Sequence, residues 1–190
     1  MIKLSPASWA AVAIVALLQT AALATMVFGR VQLLAEGREI VAEVVPVDPR
    51  DLFRGDYVIL GYTFGRAEVP VANDTVQGDK VYVTLKPTGP GQWEAVSAAP
   101  SYPTAGTAPD DVVLKGYVTY VSRPGPEGLS KAAVRYGIES YFVPEGTGRA
   151  LEAKVREKKI SAVLAVGRSG DVAIKALLVD GERVHEEPLL

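Results

Sequence analysis

The loop densest in charge is Asp48-Pro49-Arg50-Asp51-Leu52-Phe53-Arg54-Gly55-Asp56. Its three carboxylates stand three and five residues apart, interleaved with Arg50 and Arg54, a pattern able to close a salt-bridged turn. The same oxygens could serve a hard cation. However, the alternating Asp spacing of a calcium loop is missing, and two arginines oppose a metal. Arg50, Arg54, Asp56 and the adjacent Tyr57, together with the later Tyr141 and Glu145, form a candidate recognition surface able to hold a peptide or glycan.

Catalytic chemistry has few routes here. The single histidine, His185, lies beside Glu186 and Glu187 in a polar C-terminal stretch, and the chain has no cysteine. That removes thiol nucleophiles, thiolate metal sites and the imidazole-dependent hydrolases. A Ser-Lys dyad remains formally open. A β-rich domain behind one anchor, with a Gly-Asp strand entry, is similar to signal-peptidase-like folds. Yet the serine of a Ser-x-Met-x-Pro box has no counterpart: Ser5 and Ser8 are the only upstream serines. Asp51 paired with Glu145 would suit a glycosidase only at a particular separation, which sequence does not reveal. Gly146-Thr147-Gly148-Arg149 opens a helix but lacks the lysine of a phosphate-binding loop, leaving at most a weak anion site at a helix start. The expectation is therefore a non-enzymatic protein without cofactor or metal, with a hydrolase as a distant third reading.

These residues must be positioned by β-structure. Alternating or β-branched runs predict strands near 40–47, 57–64, 80–86, 92–98, 112–122, 133–143, 160–167 and 172–179. Pro87 to Gly91 and Arg168-Ser169-Gly170-Asp171 supply turns, and residues 147–158 read as one short helix that Thr147 caps. The Pro- and Gly-rich stretches 99–111 and 123–130 read as loops. Gly61, Gly116 and Gly137 each interrupt a good strand, which predicts bulges or bends and a curved antiparallel sheet, barrel-like or sandwich, rather than a flat one. A Gly-Asp pair opens three strands, at 55–56, 78–79 and 170–171. This makes each Asp a turn device whose carboxylate accepts backbone N–H groups.

Ahead of this domain, Trp9 to Gly29 is 21 residues without a charge, the length of a membrane-spanning helix. Lys3 and Ala22-Leu23-Ala24 also fit a cleaved signal peptide. The apolar run continues through Met26-Val27-Phe28, which favours a retained anchor. Residues 31–36 can continue the helix, with Gly37 placed to end it. Residues 1–29 contain Lys3 and no acid, so all 22 acidic residues and all but one of the 20 basic residues belong to the rest. A weakly acidic domain has no electrostatic footprint for nucleic acid, and its overall charge does not favour an anionic membrane surface.

Gly55-Asp56-Tyr57-Val58-Ile59-Leu60-Gly61-Tyr62 fits, without a mismatch, the pattern for which the GDYXXLXY family of bacterial membrane-anchored proteins is named. Tyr141-Phe142-Val143-Pro144-Glu145-Gly146 agrees with it as well. The chain thus resembles that family over roughly residues 40–160. The resemblance implies an anchor at 1–30, a short extension at 31–39, an exported β-rich domain at 40–180 and a polar tail at 181–190. It also implies residence in the bacterial inner membrane, with the N-terminus cytoplasmic. It assigns no reaction. Within the motif strand, Val58, Leu60 and Tyr62 share one face and Tyr57, Ile59 and Gly61 the other, so Leu60 and Tyr62 are expected in the core. The role this favours is an accessory subunit docking on an integral membrane partner. An extracytoplasmic peptide- or glycan-binding module is the alternative.

Overall fold

The computed structural model describes residues 6–45, 57–104, 106–122, 128, 130–142, 154–155, 157 and 160–186. The uncharged run folds as α1, Pro6–Glu36, which is 31 residues and so about 46 Å long. It is apolar all round: Leu17, Met26 and Phe28 are 69%, 73% and 69% exposed. From Ser8 to Glu36 it is long and apolar enough to cross a membrane. The helix ends where expected, with the Gly37 N–H donating to the Leu33 carbonyl at 3.0 Å.

The strands are β1 (Arg38–Val45), β2 (Tyr57–Ile59), β3 (Gly61–Tyr62), β4 (Val69–Val71), β5 (Lys80–Gly89), β6 (Gln92–Ala99), β7 (Val112–Ser122), β8 (Ser130–Arg135), β9 (Ser140–Phe142), β10 (Ile160–Val166), β11 (Val172–Val179) and β12 (Glu182–Glu186), with one helical turn, α2 (Thr63–Arg66), after β3. Two five-stranded sheets form, in the orders β12-β11-β10-β1-β3 and β4-β8-β7-β5-β6, with β2-β9 as a separate pair. Chain continuity through β8–β9 and β2–β3 makes this pair the link that carries one sheet into the other. The result is a nearly closed, barrel-like β domain, as the interrupted strands predicted. Between the two sheets, the Glu43 N–H donates to the Gly91 carbonyl and the Lys115 N–H to the Gly170 carbonyl, both at 2.7 Å. Trp93 Nε1 donates to the Val41 carbonyl at 2.8 Å.

Burial follows the strand period. Ile40, Ala42 and Val44 of β1 and Val81, Val83 and Leu85 of β5 point into one core with Leu60, Tyr62, Leu114, Ile160 and Leu177. β10 departs from alternation and is buried nearly throughout, because both its faces are covered. Its inner face lines the core, while Ala165, with Ala173 of β11, packs outward against Leu34 of α1. The last turns of α1 are therefore seated on the wall of the domain.

Three expectations change. The strand predicted over 57–64 breaks at Leu60, and the one over 133–143 breaks at 136–139, since the ribbon bends there from one sheet to the other. Residues 182–186 are not tail but the edge strand β12, with Val179 opposite Glu182 and His185 opposite Leu177. The intervening Asp180-Gly181 adopts φ values of 54° and 88°, the two left-handed positions of a type I′ hairpin turn, for which Asp-Gly is a preferred pair. Lys154 and Val155 are helical; the rest of the predicted helix at 147–158 lies outside the described residues, apart from Glu157.

Two ion-pair groups support the strand edges. Lys115 of β7 pairs with Asp171, which also accepts from Ser169 Oγ at 2.6 Å. Glu39 meets Lys175 Nζ at 2.9 Å and Arg183 at 2.8 Å. Burial raises the Asp171 pKa, but the hydrogen bonds from Lys115 and Ser169 outweigh it and hold the carboxyl below its ordinary value. The hydrogen bond from Lys175 does the same for Glu39. Depressed carboxylates contribute stability that is fully present above their unfolded pKa values and is lost as pH falls through the native ones. The wild-type melting temperature should therefore fall on acidification below about pH 4. Asp171→Asn should flatten that fall while lowering stability at neutral pH by about 0.2–1 kcal/mol, the scale of a part-exposed pair. Parallel pH–melting curves for the two proteins would refute the assignment.

Candidate functional site

Residues 57–62 of the motif occupy the corner between the sheets. Tyr57, Val58 and Ile59 pair with Phe142, Tyr141 and Ser140 of β9. Two residues on, Gly61 and Tyr62 pair with Val45 and Val44 of β1. Leu60 sits at the switch with its side chain fully buried, and its N–H donates to the Glu139 carbonyl at 2.9 Å. The facing strand bends at the same level. There Gly137 adopts φ 80°, and the Glu139 carboxylate accepts the N–H groups of Tyr136 at 2.6 Å and Gly137 at 2.9 Å. Tyr62 closes the corner: its hydroxyl donates to the Ile138 carbonyl at 3.1 Å. Its ring stacks on Phe64 at 5.1 Å, and Phe64 meets Tyr136 edge-on at 5.4 Å.

Burial, reinforced by the nearby Glu139 charge, pushes the hydroxyls of Tyr62 and Tyr136 well above the ordinary tyrosine range. Both stay protonated, so Tyr62 is a permanent donor rather than a base. The leucine and second tyrosine of the motif are thus explained mechanically, as the plug and the lock of a bent strand pair. Asp79 behaves as the Gly-Asp echo predicted, with its carboxylate accepting the Val76 N–H at 2.8 Å. Asp171, the other described member of the echo, also accepts from its own backbone N–H and adds Lys115 and Ser169 as partners.

Of the predicted recognition residues, Arg50, Arg54, Asp56 and Glu145 lie outside the described residues, as does the charged turn 48–56. Tyr57 and Tyr141 are brought onto adjacent strands, though offset, since Tyr57 is opposite Phe142. Tyr141 is 8% exposed and packs with the core. Its neighbour Phe142 is the outward residue, at 79% exposure. Among the described residues, no group of three His, Asp or Glu side chains is placed to hold a metal.

A feature not anticipated is a cleft of about 1000 Å³ where the end of α1 meets the barrel. One wall is helical, from Thr25 and Met26 through Gly29 and Arg30 to Glu36. The other is built from the β10–β11 turn, including Arg168, and from the segment around Asp111. Arg38 ties that segment down, donating to the carbonyls of Pro109 at 2.9 Å and Asp111 at 3.1 Å. A smaller cleft on the neighbouring face places Arg30 with Tyr141 and Phe142. The signal available in sequence was Arg30 itself, the first charge after the apolar run. Its partner wall comes from a turn 138 residues away and had none.

An apolar helix capped by a barrel-like β domain, with the motif at its sheet corner, defines the class of protein. The model of the family described as GDYXXLXY protein matches residues 19–177, and the chain belongs to that family. Comparison with curated proteins finds no match, and neither does comparison with solved structures.

Proposed function

We propose that this chain is a single-span protein of the bacterial inner membrane whose exported barrel serves as a non-catalytic accessory subunit, docked on an integral membrane partner. The observation that supports it is Gln19. Midway along the apolar helix its carboxamide is exposed and has no hydrogen-bond partner among the described residues. The other polar side chains of the span are satisfied internally: Thr20 and Thr25 donate to the carbonyls of Ala16 and Ala22, at 2.9 and 2.8 Å. An amide unpaired in hydrocarbon costs about 2–7 kcal/mol, so a second membrane helix offering a polar group relieves it. Exposed Phe142, beside Arg30, supports a contact close to where the helix leaves the bilayer.

Crosslinking in native membranes followed by purification of the full chain tests the proposal. A stoichiometric multi-span protein should accompany the wild type, and Gln19→Leu should release most of it while leaving the barrel's melting temperature unchanged. Recovery of the chain alone, or crosslinked only to itself, would sink the accessory role.

A further inference from the structure

The cleft between α1 and the barrel has a chemical gradient along its length. Thr25, Met26 and Gly29 lie inside the uncharged run, Arg30 is its first charge, and Arg168 stands across on the barrel wall. Neither arginine has a hydrogen bond or ion pair among the described residues. Of the three carboxylates that share the cleft, Asp171 is paired with Lys115, while Glu36 accepts from Gln32 Nε2 and Asp111 from the Ala108 N–H, neutral donors that leave both charges in place against those of the arginines. Arg38, the third arginine, is held by backbone carbonyls, which leave its charge uncompensated. Two free guanidinium groups therefore stand just beyond an apolar floor, at the depth where a spanning helix meets the headgroups.

From this we infer that the cleft is a binding site for one anionic phospholipid. Its phosphate would be held between Arg30 and Arg168, as planar fork donors suit it, and the start of an acyl chain would lie over Met26 and Gly29. The site rests on the membrane anchoring proposed above, because only a chain in the bilayer presents this cleft to lipid. Gly29 supplies an independent handle. Gly29 lines the cleft, and a Cβ added there meets no atom within 4 Å, so a larger side chain is accepted at the cleft wall without a clash.

The test is native mass spectrometry of the full chain in detergent, titrated with equal amounts of phosphatidylglycerol and phosphatidylcholine. The wild type should retain phosphatidylglycerol over phosphatidylcholine by about tenfold. Arg30→Gln with Arg168→Gln should abolish that preference. Gly29→Leu should reduce retention of phosphatidylglycerol with every charge in place. Removing two charges elsewhere, Lys131→Gln with Arg135→Gln, should change nothing. Equal retention of both lipids by the wild type, or a preference that survives the double arginine variant, would overturn the site. Displacement of phosphatidylglycerol by millimolar inorganic phosphate would overturn the lipid assignment in favour of a simple anion site. Reconstitution into nanodiscs separates this failure from failure of the anchor: a chain that never enters the disc overturns both.

Discussion

Leu60→Ala should lower the unfolding free energy of the domain by about 2–5 kcal/mol, the range for truncating a fully enclosed leucine. The side chain is 0% exposed and sits where one strand leaves its partner in one pair and joins a new one in the other sheet. A cavity at that point cannot be closed by sliding a single strand, because two different pairings are held on either side of it. The backbone there is also committed, through the Leu60 N–H on the Glu139 carbonyl. Thermal or denaturant unfolding of the full chain in detergent measures the loss, with Val76→Ala, a 59% exposed site, as a reference expected to fall within about 0.5 kcal/mol of wild type. Equal effects from the two substitutions would mean that the corner is not a packed element.

Gly116→Val should be damaging although it lies far from the motif in sequence. Gly116 lies within β7, and a Cβ built on it falls 2.4 Å from Val134 Cγ1 and 2.9 Å from the Arg135 carbonyl oxygen. The first contact could be relieved by rotating one side chain. The second is main chain in β8, so the strands must part. Overpacking of this kind costs about 1–3 kcal/mol, and here it also strains the pairing of Tyr117 with Arg135 and Val118 with Val134. Faster amide exchange confined to β7 and β8, together with a lowered melting temperature, is the expected signature. An unshifted melt would show that the two strands tolerate a wider spacing.

These two positions show how differently the sequence signalled its glycines and apolar residues. Leu60 and Tyr62 were legible as core because the strand period put them on one face. Gly61 and Gly137 were legible as interruptions, though not as one event. They lie on two strands, 76 residues apart, that bend together, and only the pairing of β2 with β9 reveals it. Gly116 read as a bend and is instead a point of close approach, a distinction set by β8, its neighbour in space. The strand β12 was missed although Asp180-Gly181 marks a hairpin, because the charged residues that follow do not resemble a buried strand and an edge strand need not be one.

The charge balance illustrates the same divide. A slightly acidic chain of 20 basic and 22 acidic residues gave nothing to favour an anionic membrane surface, yet in the fold Lys115 pairs with Asp171 beside the cleft, where Arg30 and Arg168 have no hydrogen bond or ion pair among the described residues. What the sequence determined by itself was local or periodic: the uncharged helix, the alternating strands, the turn chemistry and the motif. What the tertiary structure decided was which distant segments meet. The corner that joins the sheets, the seating of the helix on β10 and β11, and the cleft between them depend on contacts made by residues far apart in the chain. Composition and spacing carry no record of such contacts, because they form only when the sheet curves enough to bring its ends together.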